Sequence, residues 1–313
     1  MRDREKDRDR RKKAKKSRAI LGPVAVILMF LLLDYGLSQW KPVESSKLFW
    51  RNDYEIILET YGTSEFKKAF YGNSAVIASY FDDQSSSGFV NIGIDYGKVS
   101  DIYEMLEGGF ITVSDELVIG LNMFCFLDTL DTNPSYPWHR KPYEPYVYFQ
   151  RERLYPFLTE GLERFLRGED FVYKTYEDSQ RMLYYNILDD KELAENIERQ
   201  RDNYWNQGIE NFSDNLEDLE KLIALCEDRG IKLRAVWMPW NGKVSIPDIE
   251  YKVQDRADKL FHGSNIEVLN MKSSISQELF HDIGHLECRI GSPVFTEMIS
   301  PWLSGGELAD GQG

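Results

Sequence analysis

The sequence predicts an α/β protein built on a doubly wound parallel sheet, with a helical insertion and an N-terminal transmembrane helix. Short apolar segments alternate with helix-type patterns over residues 67–127 and again over 214–304, and this alternation is typical of parallel sheets flanked by helices. Residues 128–212 interrupt it with a Pro- and Tyr-rich stretch and further helical patterns. An apolar run near the N-terminus precedes both parts and has the length of a membrane span.

The first 40 residues combine a basic head with an apolar span. Residues 1–18 carry eleven Lys/Arg and four Asp/Glu, a net charge of +7 in a chain whose total is −14. Residues 19–40 contain Asp34 as their single charged residue, and ~20 apolar residues are enough to cross a bilayer. Because basic flanks stay inside, we expect residues 1–18 to be cytoplasmic and the body to be extracellular.

The ends of the span favour an uncleaved anchor. Tyr35 and Trp40 suit the outer interface, and Asp34 is expected at headgroup level, where its cost is small. The alternative is a signal peptide cleaved beside Gly36 and Ser38. We favour the anchor because the basic head is long and the apolar run exceeds that of typical signal peptides, which makes this a single-pass type II membrane protein.

The composition of the chain after the basic head excludes some classes of binding partner. Residues 19–313 carry a net charge of −21, which argues against nucleic acid as a partner. Cys125, Cys226 and Cys288 are far apart and odd in number, so neither a disulfide framework nor a Cys-x-x-Cys metal site is expected. An outside domain without disulfides favours the surface of a bacterium with a single membrane.

Residues 41–66 are expected to form a polar stalk and a short helix, and residues 67–304 form the main domain. Over 50–61, apolar and aromatic residues recur at helical spacing before Gly62. The segments that follow alternate between strand and helix and end on a nearly all-apolar strand, as expected for burial on both faces. These segments are 69–71, from 75 onward, 88–93, 100–106 and 116–122.

The insertion is expected to be mostly helical and to pack beside the sheet. Helical patterns occur at 154–166 and 191–204, and a long connection of this kind is where a lid or substrate wall is often built. After it, Asp214 and Glu217 resemble a capping box. The remaining elements are strands at 231–238 and 266–269, a helix at 294–303 and a flexible tail at 305–313.

Ser74 is the first candidate for chemistry. The expected strand, the tight turn Gly72-Asn73 and the expected helix place it at a strand-to-helix corner, which exposes its hydroxyl and turns its N–H outward. Such a corner suits a serine nucleophile. The alternative is an N-cap, a position that serine favours in any case. Ser64 is a second candidate, but the segment before it fits a helix better than a strand.

His285 is the candidate base among the four histidines. It follows Asp282 by three residues just past the last expected strand, so the Asp282 carboxylate can reach its Nδ1–H and leave Nε2 for a serine proton. A surface turn with a chance Asp-x-x-His is the alternative. A metal-dependent hydrolase using Asp282, His281 and His285 is a third possibility, but no further His/Asp cluster of ligand spacing occurs, so neither a metal nor another cofactor is expected.

Other polar and aromatic residues are candidates for the rest of a site. Gly93 ends a strand and can present an unhindered N–H to an oxyanion, and Asn122 offers an amide at the end of a buried strand. A strand-end turn and a loop cap are the respective alternatives. Aromatic and neighbouring residues that are candidates for stacking on or binding sugar rings, with core packing as their alternative role, are Trp240, Asn241, Trp138 and His139.

Four motifs of this sequence resemble, in chain order, the four sequence blocks of the SGNH (GDSL-like) hydrolase superfamily. They are Gly72-Asn73-Ser74, Gly93, Asn122 and Asp282-x-x-His285. Residues 280–295, with Asp-x-x-His-Leu and a later Gly-x-x-x-Phe, are similar to the ending of its membrane-anchored bacterial branch, the DltD-like and AlgJ/AlgX-like proteins. The resemblance covers roughly 67–304 without much of 128–212. It departs at Asn73, where the family has Asp, and after Asn122, where Met replaces a second Asp.

The resemblance implies a Ser74, His285 and Asp282 triad, with the Ser74 N–H, Gly93 and Asn122 as the oxyanion hole. It implies a serine esterase or O-acyltransferase acting on acyl groups of cell-envelope polysaccharide or teichoic acid, with a multi-span membrane O-acyltransferase as a partner. The alternative is a catalytically idle glycan-binding or scaffolding module of an envelope-polymer modification complex.

Overall fold

A computed structural model describes residues 2–40, 52–130, 132–133, 136–140, 146–171 and 182–308. The chain divides into two compact units. Unit 1 consists of Met1–Arg51 and His139–Glu177, and unit 2 of Asn52–Trp138 and Asp178–Gly313. The expected insertion is therefore shared between the units. The expected stalk at 41–47 lies outside the described residues.

Unit 1 is built on helix α1, Arg2–Gln39. Its part Leu21–Gln39 is long and apolar enough to cross a membrane, the one such helix in the described ranges, which confirms the predicted apolar N-terminal helix. Among the described residues, the unit also contains the 3₁₀ helix Val147–Gln150 and helix α5, Arg151–Leu166. Asp34, expected at headgroup level, is buried and accepts the N–H of Tyr148 at 2.9 Å.

Unit 2 contains a five-stranded, all-parallel sheet in the order β2-β1-β3-β4-β5. The α/β class and the parallel sheet predicted from the sequence are confirmed. The strand after Gly88 is shorter than expected, because only two of its residues pair with β1. The strands are β1 Glu65–Gly72, β2 Val90–Asn91, β3 Thr112–Leu121, β4 Lys232–Trp237 and β5 Glu267–Asn270.

Helices cover both faces of the sheet because side chains alternate along each strand. On β3, Leu117 and Ile119 join a large core formed with the helices of one face, whereas Val118 joins a smaller core on the opposite face. The large core includes α4 Val99–Glu107, α7 Ser213–Arg229 and α8 Asp248–Gly263, and the smaller one α3 Ser74–Ser79 and α9 Gly291–Leu303.

The other described helices are short or flank these layers. They are α2 Asp53–Tyr61, α6 Asp190–Gln200, the π-helix Arg201–Trp205 and the 3₁₀ turns Asp82–Gln84, Met123–Phe126, Pro137–His139, Ile209–Phe212 and Gln277–Leu279.

The expected capping box at Asp214 is wrong. Helix α7 has Phe212 as its N-cap, two residues earlier than expected, without a side-chain hydrogen bond. Its first free N–H groups, those of Asp214 and Asn215, donate instead to the carboxylate of Asp128 at 3.2 and 3.0 Å. A residue 86 positions away therefore supplies the cap.

The strand order reverses between β1 and β3, whose carboxyl ends form the crevice where ligands bind in doubly wound sheets. Helix α3 approaches the sheet closely at this point because Gly72 and Gly120 are paired opposite one another. A Cβ on either glycine would lie 2.3 Å from Cγ2 of Val76. The close packing fixes the start of α3, where Ser74 lies.

We expect Gly120→Ala to lower the free energy of unfolding by about 1–3 kcal/mol, because the added methyl overpacks the contact with Val76. Urea denaturation of the full chain in detergent measures this. Gly263→Ala is the control, since a Cβ there meets nothing within 4 Å. Equal stability of the two variants would contradict the packing argument.

Candidate active site

Ser74 is the first residue of α3, directly after the turn that ends β1. Asn73 is the N-cap, and its Oδ1 accepts the N–H of Ala75 at 3.0 Å. The capping role considered for Ser74 therefore belongs to its neighbour. The N–H of Ser74 donates to no described residue. Ser74 lines a cavity of about 300 Å³ in unit 2.

The structure brings Ser74 and His285 together although 211 positions separate them. The distance between Ser74 Oγ and His285 Nε2 is 2.8 Å. On the other side of the ring, His285 Nδ1 lies 2.8 Å from Oδ2 and 3.0 Å from Oδ1 of Asp282. A hydroxyl, an imidazole and a carboxylate are thus joined by hydrogen bonds in the order required for general-base catalysis.

Local backbone contacts fix the carboxylate of Asp282. Its Oδ1 accepts the N–H groups of Gly284 at 3.0 Å and His285 at 2.8 Å. Burial by itself raises the pKa of Asp282, but the His285 ring and these two N–H donors outweigh it and hold the pKa at about 2. The group is therefore ionised at neutral pH and orients the ring of His285.

The charge around His285 favours its protonated form. Burial lowers the pKa of His285, whereas the charge and hydrogen bond of Asp282, followed by the charge of Asp95, raise it. The net shift is above the ordinary histidine value. Asp95 also lines the cavity, and it is a residue that reading the sequence missed, because no motif surrounds it.

Asn122 faces the cavity and is held in place by Asn73. The Oδ1 atom of Asn122 accepts Asn73 Nδ2 at 2.9 Å and the N–H of Phe124 at 3.1 Å. Both interactions engage the amide oxygen, and the Nδ2 group of Asn122 makes a long contact of 3.5 Å to Asn73 Oδ1 that uses one of its two N–H donors. Asn73 thus positions Asn122.

Gly93 does not fit the role expected for it. It does not line the cavity, and its N–H donates to Oδ1 of Asn91 at 3.0 Å. The asparagine side chain therefore satisfies the donor that was expected to face an oxyanion. The absence of a side chain serves packing instead, because a Cβ here would lie 2.8 Å from Ile77 and 3.2 Å from the carbonyl oxygen of Gly72.

Of the four residues expected to bind substrate, only Trp240 lines the cavity. The amide of Asn241 is buried and donates to the carbonyl of Asp282 at 2.7 Å, so it holds the Asp-x-x-His loop. Trp138 stacks on Tyr136 and donates to Asp101, within the core. His139 belongs to unit 1, outside the unit that contains the cavity.

Two rival candidates, Ser64 and His281, do not line this cavity. Ser64 precedes β1 and accepts the N–H of Thr112 through its carbonyl, at the end of the strand opposite Ser74. His281 hydrogen-bonds through Nδ1 to the carbonyl of Asn186. Across the described ranges, no three His, Cys, Asp or Glu residues are grouped to hold a metal ion.

Tyrosines that the sequence did not point to also line the cavity, among them Tyr184 and Tyr96. The ring of Tyr184 stacks on the ring of His285, with 4.2 Å between centroids, and its carbonyl accepts the N–H of Cys288 at 2.8 Å. Tyr96 has a φ of 54°, an uncommon backbone conformation for a residue with a side chain. The position of Tyr184 depends on contacts with residues far along the chain, so local patterns gave no signal for it.

Comparison of the sequence with models of known protein families and with curated proteins finds no match to either. The functional argument therefore depends on the fold and on the geometry of the site.

An NMR titration of the His285 ring is expected to give a pKa above the ordinary histidine value, because Asp282 and Asp95 favour the imidazolium. Asp95→Asn removes one of these charges, so the pKa should fall towards the ordinary value and the ring should be neutral at a lower pH. Glu65→Gln, at the opposite end of β1, is the control and should change nothing. An unchanged or higher pKa in Asp95→Asn would contradict the assignment.

Proposed function

We propose that unit 2 is a serine esterase or O-acyltransferase that cleaves acyl esters through Ser74, His285 and Asp282. The observation that supports this is the continuous chain of hydrogen bonds from Oγ of Ser74 through the ring of His285 to the ionised carboxylate of Asp282. A half-buried imidazole bonded to a serine hydroxyl on one side and a carboxylate on the other is suited to deprotonate that hydroxyl.

In the proposed reaction, Oγ of Ser74 attacks the ester carbonyl as His285 Nε2 takes its proton. The tetrahedral oxyanion is held by the N–H of Ser74 and the Nδ2 group of Asn122, each worth about 100- to 1000-fold in rate. When the C–O bond to the alcohol breaks, His285 returns the proton to the departing oxygen. Water or an acceptor hydroxyl then attacks the acyl-serine by the same route.

Gly93 is left out of this oxyanion hole because its N–H is already bonded to Asn91. The proposed site thus has two donors rather than the three implied by the SGNH resemblance.

The proposed cellular setting follows from the N-terminal helix and the resemblance. We propose that Leu21–Gln39 spans a bacterial cell membrane in type II orientation, with the basic head inside, so that unit 2 is extracellular. Acyl esters of cell-envelope polysaccharide or teichoic acid are then the proposed substrates, and a multi-span membrane O-acyltransferase is the proposed partner.

A fluorophosphonate probe, which reacts with activated serines, is expected to label the full-length chain in detergent at Ser74. His285→Ala should slow labelling by roughly 1000-fold or more, because residues of such a triad act as a unit. Mass spectrometry of the labelled peptide identifies the site. Ser64→Ala is the control and should label normally.

Labelling at Ser64, or labelling of Ser74 that survives His285→Ala, would contradict the proposed triad. A folded chain that takes no label would favour the idle glycan-binding or scaffolding module.

A further inference from the structure

Helix α5 in unit 1 exposes a row of large apolar side chains, here called the α5 apolar face. Its members recur at spacings of three and four residues, which places them on one side of the helix. They are between 48% and 76% exposed. A contiguous exposed apolar face of this kind marks a surface for lipid or protein. The members are Tyr155, Leu158, Leu162, Phe165 and Leu166.

The other sides of α5 are occupied differently. Phe157 is buried and packs edge-on against Phe171 and Trp40. Glu163 and its neighbour Arg164 are charged and lie off the apolar face, and Arg164 pairs with Glu169 at 3.5 Å. The helix is therefore amphipathic, with one side packed within unit 1 and the apolar face left exposed.

The chain just before α5 is bound to the outer half of the apolar helix α1. Both carboxylate oxygens of Asp34 accept the N–H of Tyr148, at 2.9 and 3.1 Å. The ring of Tyr148 packs edge-on against Phe30, and Tyr146 packs against Tyr35. With a rise of 1.5 Å per residue, Asp34 lies about 8 Å inside the end of α1 at Gln39.

These contacts place residues 146–157 at the depth of the outer leaflet wherever α1 spans a membrane. Polar backbone and carboxylate groups inside a bilayer must satisfy one another, and Asp34 and the N–H of Tyr148 do so. We propose that α5 lies along the outer leaflet with its apolar face in lipid, as an interfacial helix beside the span. This rests on the membrane anchoring proposed above, not on the chemistry of Ser74.

Lipid is the occupant that the neighbourhood of α5 favours. The α1 segment that docks α5 is itself ringed by exposed apolar residues, among them Leu28, Leu32 and Leu33. Trp40 and the tyrosines near it have the amphipathic rings that favour the membrane interface. Arg151 lies 5.4 Å from the ring of Tyr148, and a long basic side chain there can extend to the headgroups.

The test uses the full chain in phospholipid nanodiscs, with single cysteines carrying an environment-sensitive fluorophore. Leu162→Cys reports on the α5 apolar face, Glu163→Cys on the neighbouring polar side, and Val26→Cys on α1. The native cysteines are buried, and the labelled wild-type chain gives the blank. A nitroxide attached to lipid chains and aqueous iodide serve as the two quenchers.

We expect several-fold stronger quenching by the lipid nitroxide than by iodide at positions 162 and 26, and the reverse at 163. If iodide quenches the probe at position 162 as strongly as the probe at position 163, while lipid nitroxide still quenches the probe at position 26, the α5 proposal is overturned and the anchor proposal is retained. Protection at 162 from both quenchers would overturn it in favour of a protein partner. Iodide quenching at 26 would refute the anchor and the α5 proposal together.

A separate observation concerns the cavity beside Ser74. Helix α6 contributes Asn196 and Gln200 to its wall, four residues apart on one side of the helix. The Oδ1 atom of Asn196 and the Oε1 atom of Gln200 are both buried without a hydrogen-bond partner in the described chain. Unpaired buried carbonyls are costly, and binding a donor relieves that cost.

The charge of the cavity restricts which ligands can supply hydrogen-bond donors to these two amide oxygens. Its lining includes the carboxylates of Asp95 and Asp282, and none of its lining residues is Lys or Arg. An anionic group is therefore disfavoured beside the serine. We infer that Asn196 and Gln200 form a subsite for hydroxyl groups of an uncharged, polyhydroxylated ester. This inference deepens the proposed function and rests on it, and of the two proposed polymers it favours an uncharged polysaccharide over teichoic acid, whose phosphates are anionic.

The test compares kcat/KM for glycerol monoacetate and propyl acetate, which differ in hydroxyl groups. The wild-type chain should prefer the glycerol ester, and Asn196→Leu and Gln200→Met should each reduce that preference by roughly 2- to 10-fold, the worth of one neutral hydrogen bond. Glu195→Gln, on the exposed side of α6, is the control.

An unchanged preference in both variants, with propyl acetate still turned over, would overturn the subsite alone. Turnover of neither ester by the wild-type chain would contradict the proposed hydrolysis and the subsite together.

Discussion

The site depends on the contact between α9 and the carboxyl end of α3. Ser292 Oγ donates to the carbonyl of Ala78 at 2.7 Å, and Thr296 Oγ1 donates to the carbonyl of Ser79 at 3.1 Å while accepting the N–H of Phe81 at 2.9 Å. These buried bonds satisfy the last free carbonyls of α3. Since Ser74 begins α3 and His285 precedes α9 by six residues, the same contact sets the distance between hydroxyl and imidazole.

Buried charge secures the sheet on which these helices pack. Arg234 of β4 pairs with Glu116 of β3 at 2.6 Å and donates to the carbonyls of Trp302 and Leu303 at the end of α9. Such a pair is retained only with additional hydrogen bonds, because burial removes both charges from water. Here the extra bonds tie the last helix to the middle of the sheet.

The proposed catalytic and membrane functions belong to different units. Each unit contains a carboxylate that is held by hydrogen bonds. In unit 1, Asp34 is satisfied by a backbone N–H within an apolar setting. In unit 2, Asp282 is satisfied by two backbone N–H groups and the ring of His285. Both carboxylates are hydrogen-bonded in place, but only Asp282 is bonded to a group suited to proton transfer.

The sequence by itself determined what depends on neighbouring residues: the parallel α/β class, the apolar N-terminal helix, the corner at Ser74, and the three-residue spacing that lets Asp282 reach His285. Periodicity and turn sterics act over a few residues, so a single chain displays them. Only the tertiary structure decided that the N–H of Gly93 is taken by Asn91, that Asn241 supports the loop, that Asp128 caps α7, and that Tyr184 covers His285. Those outcomes depend on which distant segments pack together, and packing is settled by the whole fold.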